Sequence, residues 1–99
     1  MSGSSELGET LDRCIETLHA TFERSDLEVE QKKILQKLDE ARYNPGDATP
    51  LADCILSLFL AARSRGFSAG AMLRTLEKVA KANTDRRWKK MPDGTYHAV

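Results

Sequence analysis

The sequence contains few aromatic residues, few valines and isoleucines, and only two cysteines and two histidines. Aromatic residues make up 6% of the chain, whereas alanine, leucine and charged helix-forming residues are plentiful, so the composition favours helices over strands. His19 and His97 are too few and too isolated to form a zinc site. The sequence also lacks a nucleophile elbow, a Walker loop and a dinucleotide-binding fingerprint, which excludes these three kinds of enzyme site.

The two cysteines, Cys14 and Cys54, do not have the CxxC spacing of redox motifs and small metal sites. Both lie on the apolar faces of predicted helices. We therefore expect two buried free thiols in a reducing compartment rather than a disulfide.

The sequence also lacks a long apolar run and a segment that resembles a signal peptide. The first residues, MSGSSELGE, show no basic region followed by an apolar one, so we expect no signal peptide. The longest apolar stretch, which follows Asp53, is about ten residues long and too short to cross a bilayer. We expect a soluble cytoplasmic protein with no membrane partner.

The charges are balanced overall but unevenly distributed. Residues 1–50 carry six Lys and Arg against eleven Asp and Glu, a net charge of −5, and residues 51–99 carry nine against four, a net charge of +5. Such asymmetry favours association of opposite faces or an anionic ligand at the basic end. An ordinary dipolar surface explains it equally well.

Local signals divide the chain into four predicted helices. Apolar residues at steps of three and four predict a first helix from near Ser5 to Phe22. Ser25 and Glu28 form a capping box ahead of a second helix over about residues 26–42. The Asn-Pro-Gly-Asp sequence at residues 44–47 predicts a turn.

Two further helices follow this turn. Thr49 is the predicted N-cap of the third helix, which ends near Arg65 because Gly66 suits the left-handed C-terminal position. Ser68 caps a fourth helix to about Asp85. We therefore predict one all-α, four-helix domain over residues 6–88, with a frayed N-terminus (1–5) and a short irregular C-terminal tail (89–99).

The third helix is apolar on too many sides for an ordinary surface helix. Ten of the twelve residues from Leu51 to Ala62 are apolar. One face holds Leu51, Ile55, Leu58 and Ala62, whereas Leu56 and Leu60 lie on nearly the opposite face. We expect a second subunit to complete the bundle, as a homodimer or a higher homo-oligomer. The alternative is a central helix wrapped by its own chain.

Three carboxylates are expected at neighbouring helix ends. Asp53 lies at helical spacing from Leu56 and Leu60, a costly place for a charge unless it is paired or binds a metal. Glu40, next to Asp39, lies just before the loop to the third helix, so it can approach Asp53 across an antiparallel pair. Such carboxylates suit Mg²⁺. Alternatively, Asp53 pairs with a lysine or arginine, or faces water.

A basic cluster, Arg86 to Lys90, follows the fourth helix and contains Trp88. Its cations could hold phosphates while the indole ring stacks on a base. The alternative is a solvated helix end with Trp88 folded back on the core.

Three segments resemble the MazG-like, all-α nucleoside triphosphate pyrophosphohydrolases, in particular the short phage and prophage members related to dATP/dGTP diphosphohydrolases. The resemblance covers residues 34–97 and rests on ILQKLDEARYNPGD, PLADCILSLFLAARSRGF and KANTDRRWKKMPDGTYH. It implies four-helix bundles formed between subunits. It also implies Mg²⁺ ions that activate water, bound by a Glu-Glu-x-x-Glu segment on one helix and a Glu-x-x-Asp segment on the next. The products would be pyrophosphate and a nucleoside monophosphate.

The resemblance assigns roles residue by residue. Glu40 and Asp53 would be the catalytic, metal-binding carboxylates, with Asp39 as an auxiliary metal ligand. The three other carboxylate positions of the family pattern hold Gln36, Lys37 and Pro50 here.

An Asn-x-x-Arg segment that contacts substrate in the family corresponds to Asn83 and Arg86. Lys81 is a further expected phosphate or sugar contact. Lys37 and Trp88 complete the set of expected nucleotide contacts.

The sequence leaves three functions open. The first is Mg²⁺-dependent pyrophosphohydrolysis of an NTP or dNTP at Glu40 and Asp53. The second is a non-catalytic MazG-like scaffold for a nucleotide or a protein, in which Lys37 pairs with these carboxylates in place of a metal. The third is helix-turn-helix DNA binding around residues 62–68. Nucleic acid is not favoured as a partner, because the net charge is zero and the fourth helix offers little beyond Arg74 to read bases.

Overall fold

The structure is a computed structural model that describes residues 3–23 and 26–99, with side chains from Glu6 onward. The described chain forms four helices, α1 (Gly3–Thr21), α2 (Leu27–Tyr43), α3 (Thr49–Ser64) and α4 (Ala69–Thr84). Two short strands follow, β1 (Trp88–Lys90) and β2 (Tyr96–Ala98). The predicted all-α four-helix bundle with a short C-terminal tail is confirmed. Within the described residues, no helix is both long enough and apolar enough to cross a membrane.

The helix starts differ in detail from the predicted caps. Asp26 caps α2 and accepts a hydrogen bond from the Val29 N–H at 2.9 Å. The predicted cap Ser25 lies outside the described residues. The prediction that Thr49 caps α3 was wrong, because Thr49 is already helical and its own N–H donates to the Asp47 carboxylate at 2.9 Å. An aspartate just ahead of the helix therefore satisfies one N-terminal N–H in both α2 and α3.

The turn from α3 to α4 follows the prediction closely. Gly66 has a φ of +90°, and its N–H donates to the Arg63 carbonyl at 2.9 Å. The Phe67 N–H donates to the Ala62 carbonyl at 3.0 Å, which completes a left-handed helix end that favours glycine. Ser68 then caps α4 by accepting from the Ala71 N–H at 3.1 Å, as predicted.

Helix α3 is the centre of the fold and packs against the three other helices, whereas α2 packs against α3 alone among the described elements. The fully buried core lies where α1, α3 and α4 meet and consists of Ile15, Phe59, Leu60 and Ala69. Partly buried apolar residues surround it, namely Leu11, Leu18, Leu56, Met72 and Leu73. The α2–α3 pair therefore has one side that no other described helix or strand covers.

One burial prediction was wrong. Cys14 is exposed, although Cys54 is buried and both thiols are free as expected. The sequence did not show which α3 face is covered. The face of Leu56 and Leu60 packs in the core, and Leu60 is 0% exposed. On the opposite face Leu51, Ile55 and Leu58 are exposed, whereas Ala62 is buried.

The N-terminus of α4 is capped a second time, from α1. The Asp12 carboxylate accepts a hydrogen bond from the Ala69 N–H at 2.8 Å. We expect Asp12→Ala to lower the free energy of unfolding by about 1 kcal/mol, because a helix N-terminal donor in a half-buried position loses its acceptor. Urea denaturation measures this, with Glu9→Ala on the exposed side of α1 as the control. Equal losses in both variants would contradict the capping role.

Candidate carboxylate site

The α2–α3 pair brings one lysine and two carboxylates together. The Lys37 Nζ lies 3.2 Å from an Oε of Glu40, one turn away on α2, and 3.4 Å from an Oδ of Asp53 on α3. This arises because α2 and α3 run antiparallel through a short loop, so the end of α2 faces the start of α3. The partner of Asp53 is thus a lysine ammonium, one of the alternatives that the sequence left open.

Lys37 interacts electrostatically with both carboxylates of the cluster. The hydrogen bond to Glu40, and next the one to Asp53, raise the pKa of Lys37 above its ordinary value, against a smaller desolvation effect. Because this pKa is raised in the folded state, the pairing stabilises the fold at neutral pH. The contribution of the lysine is lost as the pH rises through its raised pKa.

The third expected carboxylate points elsewhere. Asp39 lies 3.9 Å from Arg42 Nη1 on the exposed side of α2, away from Lys37. Among the residues that the structure describes, no three His, Cys, Asp or Glu side chains lie close enough together to hold a metal ion.

The donor set of this site does not fit Mg²⁺. The ion requires near-octahedral oxygen coordination and is attracted by accumulated negative charge. Here two carboxylates converge on a positive ammonium, and the other positions of the family pattern hold neutral Gln36 and buried Pro50. The Lys37 ammonium supplies the positive charge that a metal would otherwise supply.

The other expected nucleotide contacts lie at the far end of α4. Lys81 pairs with Glu77 at 2.9 Å. The Asn83 carbonyl accepts a hydrogen bond from the Trp88 Nε1–H at 3.0 Å, and Arg86 is exposed in the loop between α4 and β1. Because α2 does not pack against α4 in the described chain, Lys37 and these residues belong to two separate surfaces of one subunit.

Sequence reasoning missed the hairpin formed by the tail. The tail was predicted to be irregular, but Trp88 begins β1, and β1 pairs antiparallel with β2. The available signal was the Pro92-Asp93-Gly94 turn: Gly94 has a φ of +90°, and the Asp93 carboxylate accepts from the Thr95 N–H at 2.9 Å. Helical spacing alone does not predict that the residues on either side of this turn pair as two strands.

The sequence also did not reveal the cross-helix pair of Arg63 on α3 with Glu16 on α1. The arginine lowers the pKa of Glu16, chiefly through the side-chain hydrogen bond, and the carboxylate raises the pKa of Arg63. This pair joins α1 to α3 and lies near the end of α3, whereas Asp53 of the carboxylate site lies near its start.

Comparison with protein-family models, with curated proteins and with solved structures gives no match to this chain, so similarity shows no family for it.

Proposed function

We propose that this chain is a homo-oligomeric, MazG-like helical scaffold in which the Lys37 ammonium replaces the metal and metal-dependent turnover is lost. The observation that carries the proposal is the position of Lys37 Nζ, within 3.4 Å of both Glu40 and Asp53. A cation already fixed between two carboxylates neutralises the field that a divalent ion needs. Binding of the ion would break both pairings and bring two positive groups together.

Self-association is supported by the open shape of the subunit. Its accessible surface of 7767 Å² exceeds the value of about 5,600 Å² that a compact monomer of 11.0 kDa would have. Its radius of gyration of 15.6 Å exceeds the roughly 13 Å expected for about 100 residues. The excess surface, about 2,100 Å², is larger than the roughly 800 Å² that each partner buries in a standard interface.

Five exposed apolar side chains lie on the α2–α3 pair. Leu35 is 60% exposed and Ile55 is 57% exposed, and Leu38, Leu51 and Leu58 are about half exposed beside them. A patch of this kind on a small protein indicates an interaction site. A second copy of the chain supplies a matching apolar surface by symmetry.

The proposal includes a cytoplasmic location. Cys14 and Cys54 are both free. Free thiols, one of them exposed, persist in a reducing compartment.

The second candidate function is Mg²⁺-dependent pyrophosphohydrolysis of a nucleoside triphosphate. The same geometry favours it, because Glu40 on α2 and Asp53 on α3 both lie beside the position that the Lys37 ammonium occupies. In this case Lys37 would turn away to a substrate phosphate. The nucleotide would also be contacted by the residues at the end of α4 and after it, namely Lys81, Asn83, Arg86 and Trp88. Because these residues and the carboxylate site lie on separate surfaces of one subunit, they would come from a second subunit.

A metal titration separates the two functions. For the wild-type protein we expect no Mg²⁺ binding heat by calorimetry, and no pyrophosphate release from any NTP or dNTP with Mg²⁺ or Mn²⁺. Lys37→Glu should gain measurable Mg²⁺ binding, because three carboxylates then replace two carboxylates and an ammonium. The matched control is Lys32→Glu, the same charge change at an exposed position of α2. Wild-type pyrophosphate release that disappears in Asp53→Ala would establish the hydrolase instead.

A further inference from the structure

The C-terminal hairpin presents two aromatic rings and a lysine on one face. In its register Trp88 pairs with Ala98 and Lys90 pairs with Tyr96, while Lys89 pairs with His97. Because side chains alternate along a strand, Trp88, Lys90, Tyr96 and Ala98 share one face, and Lys89 and His97 lie on the other. Trp88 and Tyr96 are diagonal neighbours on that face, close enough for their rings to form one continuous surface.

The described chain leaves most of this hairpin uncovered. All six strand residues are exposed, with Trp88 at 43% and Tyr96 at 60%. The Trp88 indole N–H donates to the Asn83 carbonyl, which fixes the ring at the end of α4 while leaving much of it exposed. An isolated two-stranded hairpin is only marginally stable, so a ligand on its open face would add stability.

The hairpin is also strongly basic. Residues 86–98 carry four arginines and lysines against one acidic residue, a net charge of +3 in a chain of net charge zero. No described carboxylate pairs with Arg86, Arg87, Lys89 or Lys90. Four cations without a described ion pair therefore lie on or next to the hairpin that carries Trp88 and Tyr96.

We propose that this face binds single-stranded nucleic acid, with neighbouring bases stacked on Trp88 and Tyr96 and the phosphates held by Lys90, Arg86 and Arg87. Ring faces bind bases of any sequence, and unpaired cations attract the backbone phosphates. A duplex does not fit this chemistry, because its bases are already stacked on one another. The expectation against nucleic acid rested on the total charge and on α4, and did not consider the local charge of the hairpin. This binding is independent of the carboxylate site.

Trp88 is the only tryptophan in the chain, so its fluorescence reports on this face directly. We expect single-stranded DNA or RNA of about ten nucleotides, within the usual range of site sizes, to quench it. The affinity should fall as the salt concentration rises.

Tyr96→Ala should weaken binding by about 5- to 150-fold, the usual range for one stacked base, while Trp88 remains as the probe. Tyr43→Ala, at the other tyrosine of the chain, is the matched control and should leave the affinity unchanged. Lys90→Glu should also weaken binding and reduce the salt dependence, whereas Lys32→Glu on α2 should affect binding much less. Circular dichroism on each variant checks that the helices are retained.

The proposal would be overturned by no quenching with any single strand, or by a duplex of the same length binding more tightly. Mononucleotides that bind as tightly as the oligonucleotide would also overturn it, because a polymer would then add no second stacked base. Equal losses in Tyr96→Ala and Tyr43→Ala would exclude the hairpin as the site. None of these outcomes depends on whether Lys37 or a metal occupies the carboxylate site.

Discussion

Replacing Leu60 by alanine should lower the free energy of unfolding by about 2–5 kcal/mol, the largest loss that we expect from a single substitution in this chain. Leu60 is 0% exposed and lies in the core with Ile15, Phe59 and Ala69, where three helices meet. The substitution removes buried apolar surface and leaves a cavity that Ala69, a small neighbour, cannot fill. Chemical denaturation followed by circular dichroism measures the loss at a fixed protein concentration.

The matched control is Leu76→Ala, the same substitution at a leucine of α4 that is 57% exposed. It should cost much less, because that side chain remains half solvated in the folded chain. A loss at Leu76 as large as that at Leu60 would show that the stability of the fold does not centre on the junction of α1, α3 and α4.

The double substitution Ile55→Glu, Leu58→Glu should dissociate the proposed homo-oligomer into folded monomers. Both side chains are about half exposed on α3. Full burial of such a side chain contributes about 1.5–3 kcal/mol, so burial of its exposed half contributes about half of that. Because a dimer contains each position twice, the loss raises the dissociation constant by about 100-fold or more. Desolvation of the new carboxylates adds to this effect. Sedimentation velocity over a concentration series measures the change.

Leu7→Glu, at an exposed leucine near the start of α1, is the control for this interface. It should leave the oligomeric state unchanged. A wild-type protein that sediments as a monomer at all concentrations tested would contradict the assembly. Equal dissociation by Leu7→Glu would place the interface elsewhere.

Local signals predicted most of the secondary structure. The helical positions of the apolar residues predicted all four helices, because burial on one face repeats with the period of the helix. Gly66 and Ser68 marked the α3–α4 turn correctly, since a left-handed residue and an N-cap depend on neighbouring backbone atoms. The Thr49 cap failed because the helix begins one residue earlier than predicted: Thr49 is already helical, and its own N–H donates to the Asp47 carboxylate.

The candidate site could be predicted only in part. Spacing placed Glu40 and Asp53 near each other, because an antiparallel helix pair joined by a short loop brings its ends together. It left open whether a metal, a lysine or water would meet Asp53. The partner of Asp53 depends on the conformation of the long, flexible Lys37 side chain between α2 and α3, which residue spacing does not determine.

The sequence by itself determined four helices, their approximate ends, an excess of apolar surface on α3 and a chain divided into an acidic and a basic half. These properties follow from composition and from interactions between residues a few positions apart. Only the tertiary structure decided which α3 face is covered, that Lys37 lies between Glu40 and Asp53, and that Trp88 and Tyr96 share a strand-paired face. The physical reason is that each of these depends on contacts between distant segments, which the helical period does not encode.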